Sequence, residues 1–240
     1  MDNLIDTHFH IDHYKNYHEI AREINNLKQY TICVTNSPGL FLACKNTISE
    51  TKYLKFALGF HPLESGIRET DIRSFLHLIS RTNYVGEIGL DYSKSAKLSK
   101  EHQIQVFEAI VKKCSIENKL MTIHIRRGEN DAINVIRKYS PQKCIIHWFS
   151  GSENQLIDLL DLGCYMSINT NMISNKNSEK YHSIPYDRLL IESDGPYTKV
   201  NGLRYEPSLL KHSYELISDF YGLSNLESVV YSNFKRILKK

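Results

Sequence analysis

Short apolar, β-branched runs recur along the chain at Leu4–Phe9, Thr31–Thr35, Phe56–Phe60, Tyr84–Ile88, Met121–Ile125, Cys144–Trp148, Cys164–Ile168 and Arg188–Ile191, each bounded by polar, Gly or Pro positions. Runs of this length and composition predict eight strands. Between them apolar residues return at helical spacing, as in Ile20/Ile24/Leu27, Phe107/Ile110/Val111/Cys114 and Ile133/Ile136. Two more helices follow the last run, one carrying Leu210/Tyr214/Ile217/Tyr221 and one Leu226/Val230/Phe234/Ile237. Ser152 with Gln155 and Ser224 with Glu227 have the spacing of capping boxes and predict two helix starts. Strand then helix, eight times over, at about 30 residues per unit, is the pattern of an α/β fold of the (β/α)8 TIM-barrel type. A doubly wound open sheet is the alternative and needs fewer strands. The Asn- and Ser-rich stretch Ile168–Pro185 is expected to be a loop able to move over the barrel mouth.

Composition narrows the picture without changing it. At 240 residues, 41% hydrophobic and 24% charged, the chain can bury a large core as one domain, residues 1–240. A net charge of +3 is too small to indicate nucleic-acid binding by itself, so any basic surface must be local. The five cysteines, 33, 44, 114, 144 and 164, contain no CxxC pair, which argues against a disulfide framework or a thiolate zinc site and for a reducing, cytoplasmic compartment. The opening residues lack a basic-then-apolar leader and no apolar window approaches 18 residues, so neither secretion nor a membrane association is expected.

The chemistry falls at the strand ends. His8 and His10 end the first strand, Glu87 the fourth, His124 the fifth and His147 the sixth, while Asp194 follows the eighth. In a barrel those carboxyl ends converge on one face. Imidazole nitrogens and carboxylate oxygens without thiolates suit zinc, manganese or magnesium. Each residue alone has an ordinary reading as a bonded polar group, but six ligand-capable side chains at five strand ends argue for a metal centre. They exceed the need of one tetrahedral ion, so two divalent metal ions are expected, with His8, His10 and Asp194 on one, His124 and His147 on the other, and Glu87 between. Such a pair, about 3.5–4 Å apart, can clamp the attacking and leaving oxygens of a phosphoester and activate the water between them.

His61, in GFHP, ends the third strand and is placed to donate to a scissile phosphate or leaving oxygen, so with Glu87 and Asp194 it makes up the expected catalytic set. Arg126 and Arg127 directly follow the fifth strand, and a guanidinium fork suits a phosphate. Trp148, Tyr92 and Tyr197 flank ligand positions, where they could stack bases of a single strand or simply pack under loops. Asp91 is expected to orient a ligand or a water. The remaining histidines, His13, His18, His77, His102, His182 and His212, read as surface or packing residues.

The strings IDTHFHID, ALGFHP, VGEIGLDY, TIHIRR, IIHWFSGS, IESDGP and NFKRIL stand in the order and spacing of the TatD-family metal-dependent deoxyribonucleases, which the chain resembles from about residue 4 to its end. The resemblance implies a TIM-barrel hydrolase with a two-metal site and 3′-to-5′ exonuclease action on DNA, often single-stranded. It places the family's metal ligands on His8, His10, Glu87, His124, His147 and Asp194 and its pocket histidine on His61. A narrower likeness is to the QatD type, the TatD-like component of the Qat anti-phage defence cluster. It rests on the paired arginines after His124, on HWFSGS and GCYMSI, and on SDGP where many relatives have a TD-A/S-P form. It implies a role in antiviral defence, with the other Qat proteins as partners: an ATPase, a QueC-like protein and a fourth component. Tyr205, where housekeeping relatives usually carry Asn, and the shorter chain both bear on substrate choice.

Two other functions fit the same barrel. Amidohydrolases and lactonases use an HxH opening on small amides or esters, typically with a bridging lysine at strand four, whereas Glu87 stands there and Lys94 and Lys97 lie out in the loop. A non-catalytic barrel subunit of a defence complex is the other, although a scaffold has no physical need for all six ligands.

Overall fold

A computed structural model describes residues 4–64 and 69–240. All eight apolar runs form strands: β1 (Ile5–Phe9), β2 (Tyr30–Cys33), β3 (Leu54–Phe56), β4 (Leu58–Phe60), β5 (Tyr84–Asp91), β6 (Leu120–Arg126), β7 (Cys144–His147), β8 (Tyr165–Ile168) and β9 (Leu189–Ile191). β1, β4, β7, β8 and β9 are buried at every position, as parallel strands with both faces covered require. Every neighbouring pair among them is parallel. The fold is the expected (β/α)8 barrel.

One predicted strand, Phe56–Phe60, is divided. β3 pairs with β2, β4 pairs with β5, and the wall consists of one sheet ordered β1-β2-β3 and another ordered β4 to β9. The step occurs at Ala57, whose N–H donates to the Cys33 carbonyl (2.9 Å), after which the Gly59 N–H turns to the Thr35 hydroxyl (3.1 Å). A Cβ on Gly59 would stand 1.4 Å from the Thr35 carbonyl oxygen, so this crossing requires glycine. On the opposite side the Thr7 hydroxyl donates to Ile191 O (3.0 Å) and Asp194 N donates to His8 O (2.8 Å), bringing β1 against the end of β9.

The helices are α1 (Tyr17–Asn26), α2 (Pro38–Thr47), α3 (Glu69–Ile79), α4 (Lys100–Ile116), α5 (Glu129–Tyr139), α6 (Glu153–Asp161), α7 (Thr170–Ile173), α8 (Leu210–Tyr221) and α9 (Leu226–Lys239). Their periodic apolar residues, such as Phe107, Ile110, Val111 and Cys114 of α4, are buried against the sheet. Leu27 departs from this reading: α1 ends at Asn26, Lys28 takes a left-handed φ of 55°, and Leu27 is left 47% exposed. Ser152 and Gln155 form the predicted capping box. Ser224 and Glu227 do not, because Asn225 is the N-cap of α9 and Glu227 then falls at its second position, one short of where a box closes.

Ile168–Pro185 is not the loop expected from its composition. Asn169 caps α7 by accepting from Met172 N (3.1 Å), a 3₁₀ segment spans Ser178–Ser183, and Tyr181 is buried with its hydroxyl donating to Phe149 O (2.8 Å). A small hairpin, β10 (Lys199–Val200) with β11 (Leu203–Arg204), is a further addition near the mouth. Among the described residues no helix is long and apolar enough to cross a membrane.

Replacing Gly59 by Ala should force the Thr35 strand end and β4 apart. We expect a loss on the order of 3 kcal/mol in urea unfolding with the slope unchanged; wild-type stability would contradict the described crossing.

Candidate metal centre

β5 carries the central residue. Its pairing slips between Val85 and Ile88 against both β4 and β6, and within that irregularity the Glu87 N–H leaves the ladder to donate to Thr35 O (3.0 Å). β5 also runs on to Asp91, so Glu87 lies inside the strand rather than at its end. Two residues further on, Gly89 takes a φ of +145°, and a Cβ there would meet the His124 carbonyl oxygen at 1.9 Å; glycine lets β5 and β6 close beside the cluster.

The two oxygens of the Glu87 carboxylate face different partners. Oε2 lies 3.5 Å from His8 Nε2 and 3.4 Å from His10 Nε2, and Asp194 Oδ1 stands 3.8 and 3.4 Å from the same nitrogens. Oε1 lies 2.9 Å from His124 Nδ1, 3.6 Å from His147 Nε2 and 3.5 Å from His61 Nε2. All six residues named at the strand ends, with His61, therefore meet in one cluster. His8, His10, Glu87, His147 and Asp194 are buried. His8 Nε2 and Asp194 Oδ1 have no hydrogen-bond partner among the described residues, although both are buried. Buried polar atoms left without partners are costly, and a cation between them would satisfy both. Ligand atoms of His8/His10/Glu87, of His8/His147/Asp194 and of His61/Glu87/His124 each lie within 4.8 Å of one another. The donor set fits divalent metal.

Electrostatics in the cluster follow from crowding. Burial and the neighbouring His147 bring His8 down to about 3. Burial also opposes the charged form of His10, but Asp194 and Glu87 outweigh it and carry it up to about 10. Burial is likewise outweighed for His124, raised to about 9 by Asp91 and Glu87. Glu87, despite its burial, is held well below the usual carboxylate range by His61, His8, His10 and His124.

A surrounding layer orients the rings. Asp91 Oδ2 bonds His124 Nε2 (3.0 Å), and its Oδ1 accepts from Ser93 N (2.7 Å). Thr122 Oγ1 lies 2.9 Å from His8 Nδ1. Glu192, fully buried, holds His147 Nδ1 at 3.0 Å, accepts from Asn169 Nδ2 (2.9 Å) and Trp148 N (3.2 Å), and is hydrogen-bonded by Ser167. Asp6 accepts from Ser193 Oγ (2.6 Å), Ser193 N (2.9 Å) and His8 N (3.2 Å), and its burial pushes it up to about 7. Neither Glu192 nor Asp6 was singled out by the sequence. Their only signal was position, two residues before Asp194 and two before His8.

The cluster lies at one side of a cavity of about 650 Å³ that Arg126, Trp148 and Tyr197 also line. Arg127 lines a neighbouring cavity instead. Tyr92 lines neither, since its hydroxyl donates to Asp131 (2.9 Å). Tyr205 is buried behind the site, its hydroxyl 3.4 Å from Asp6 Oδ2, and so packs rather than faces a substrate. His13, read as a bystander, stands at the rim with Nδ1 2.7 Å from the Tyr197 hydroxyl and its ring 5.1 Å from that of His10.

The model of the TatD-related DNase family matches residues 5–239. The chain belongs to that family. Among its relatives are a metal-dependent hydrolase of Escherichia coli, YcfH, 26% identical over 98% of this chain and 95% of its own, and YabD of Bacillus subtilis, also named as a metal-dependent hydrolase, 26% identical over 98% and 99%. The crystal structure of the Escherichia coli TatD homologue YJJV superposes with a TM-score of 0.83 at 18% identity over 98% of this chain and 97% of that one, which establishes the shared fold. This TatD-family chain thus carries its ligand-capable residues where the barrel opens.

Because His10 and His124 titrate near 10 and 9, both hold protons at pH 7 that a metal ion must displace. Calorimetric titration with Zn²⁺ in two buffers of different ionisation enthalpy should show net proton release, and affinity should fall as the pH is lowered from 8 to 6. Affinity independent of pH would contradict the protonation described. Glu192→Gln should weaken metal binding by roughly 10–100-fold in a chelator competition if that carboxylate orients His147; unaltered affinity would exclude the role.

Proposed function

We propose that the chain is a metal-dependent phosphodiesterase that shortens DNA strands from the 3′ end. The observation that carries the reading is the division of Glu87, one oxygen toward His8 and His10 and the other toward His124, His147 and His61. It suits two divalent ions, zinc, magnesium or manganese, with Asp194 joining the first pair. Ions held there supply positive charge to activate water and to neutralise charge developing on a phosphoryl group.

The chain's own residues account for the rest. Arg126, at the end of β6 and exposed, presents its guanidinium fork to a non-bridging phosphate oxygen. His61, at the cavity edge and accepting from Leu63 N (3.1 Å) through Nδ1, is left with Nε2 toward Glu87 and the departing oxygen. Trp148 and Tyr197 offer ring faces and edges on either side of the cluster for the terminal base. Glu87 stands where amidohydrolases and lactonases typically carry a bridging lysine, which counts against the amide or lactone reading. The 3′ polarity, the preference for single strands and a place in antiviral defence beside the other Qat components rest on sequence resemblance, and the cytoplasmic location on the five cysteines without a CxxC pair.

Purified protein with Mn²⁺ or Mg²⁺ should remove the 3′ label of a single-stranded DNA at once and convert the 5′-labelled strand to a shrinking ladder, with EDTA and Glu87→Gln abolishing both. Cleavage surviving Glu87→Gln would remove that residue from the centre. Arg126→Ala should raise KM if the contact is equal in ground and transition states, or lower kcat and kcat/KM together if it forms in the transition state. Unchanged kinetics would take Arg126 out of the site.

A further inference from the structure

Beside the metal centre lies a second cavity of about 550 Å³, lined by Arg126, Arg127, Ser150, Gly151, Lys180 and Glu129 among others. Arg126 and Ser150 also line the first cavity, so the two are contiguous through these residues. The second is basic, with three cationic side chains against one carboxylate. That carboxylate is engaged locally, since Glu129 Oε1 accepts from Arg127 N (3.0 Å) and thereby fixes the left-handed turn at Arg127, φ 61°. The guanidiniums of Arg126 and Arg127 make no hydrogen bond or ion pair among the described residues, whereas those of Arg188, Arg204 and Arg236 each bond to protein. Lys180 is anchored by donating to Gly151 O (2.5 Å) with its ammonium over the rings of Tyr181 and Phe149, which leaves it in place as a partly buried charge at the cavity wall. The wall is also closely fitted, because a Cβ on Gly151 would meet Phe149, Gln155 and Glu129 at 2.5–2.8 Å.

We propose that this second cavity binds a backbone phosphate of the substrate strand adjacent to the linkage held at the metal centre, with Arg127 and Lys180 as its cations and Arg126 shared between the two positions. The proposal rests on the phosphodiesterase reading above and extends it to a chain of at least two phosphates. Unpaired guanidiniums beside an anchored ammonium suit a polyanion, and contiguity with the first cavity makes the bound group part of one continuous ligand rather than a separate anion.

The test is fluorescence anisotropy of oligothymidylates with one, two and three internal phosphates, labelled on a base and measured in EDTA so that none is cut. Wild-type affinity should rise beyond one phosphate. In Arg127→Met/Lys180→Met the ratio of affinities for the longer over the one-phosphate strand should fall about tenfold, with the salt dependence shallower by about 0.7 for one lost phosphate contact. Arg22→Met, on α1 and outside both cavities, serves as the control. The same series in RNA shows whether the phosphate alone is read. A wild-type gain with length that the double variant keeps would overturn this subsite and leave the phosphodiesterase reading standing. Absence of strand binding by the wild type, together with no cleavage when Mn²⁺ is restored, would overturn both.

Discussion

A buried carboxylate must be paired, and the Glu87 side chain meets that requirement with four separate chain segments at once. β1, the end of β4, β6 and β7 each bring an imidazole within 3.6 Å of one of its oxygens. An uncompensated charge at that depth would cost several kcal/mol, so the geometry of the mouth is set by how these segments converge on one residue. The irregularity in β5 is what makes the convergence possible. A regular ladder at Gly86 and Glu87 would spend the Glu87 N–H on a neighbouring strand, whereas here it reaches Thr35 across the break in the wall.

The barrel was readable because buried parallel strands leave continuous apolar runs, and because metal-capable residues recur at or beside strand ends, as at His8, His124, His147 and Asp194. What escaped the pattern were features governed by tertiary contact. Phe56–Phe60 looks like one strand, since nothing in its apolar character announces that Ala57 bonds backward to Cys33 while Gly59 turns to Thr35. Ile168–Pro185 looks like a loop by its Asn and Ser content, yet Asn169 and Tyr181 find their partners on Glu192 and Phe149. His13 carries no periodic signal at all and reaches the rim only because Tyr197 lies opposite it.

The supporting residues also explain why the cluster can tolerate unusual backbone. Trp148 and Asp194 both adopt left-handed conformations, φ 36° and 49°, which side-chain-bearing residues avoid at about 1–2 kcal/mol each. Trp148 N is held by Glu192 Oε1 and Asp194 N by His8 O, so the carboxylate whose other oxygen meets His147, and the bond that draws β1 to the end of β9, also hold these turns. Positioning and strain are met by one network.

The division of the wall into two sheets acquires a mechanical meaning when set beside the cluster. His8 lies in the strand that edges the three-stranded sheet and His10 directly follows it, while Glu87, His124 and His147 are carried by the six-stranded one and Asp194 follows its last strand. A cation seated between these groups would therefore join the two sheets through side chains, beside the few backbone bonds, Glu87 N to Thr35 O and Asp194 N to His8 O, that already cross between them. Its binding energy would add to the cohesion of the two sheets, so that metal loading would be read in the stability of the whole barrel and not only at the mouth.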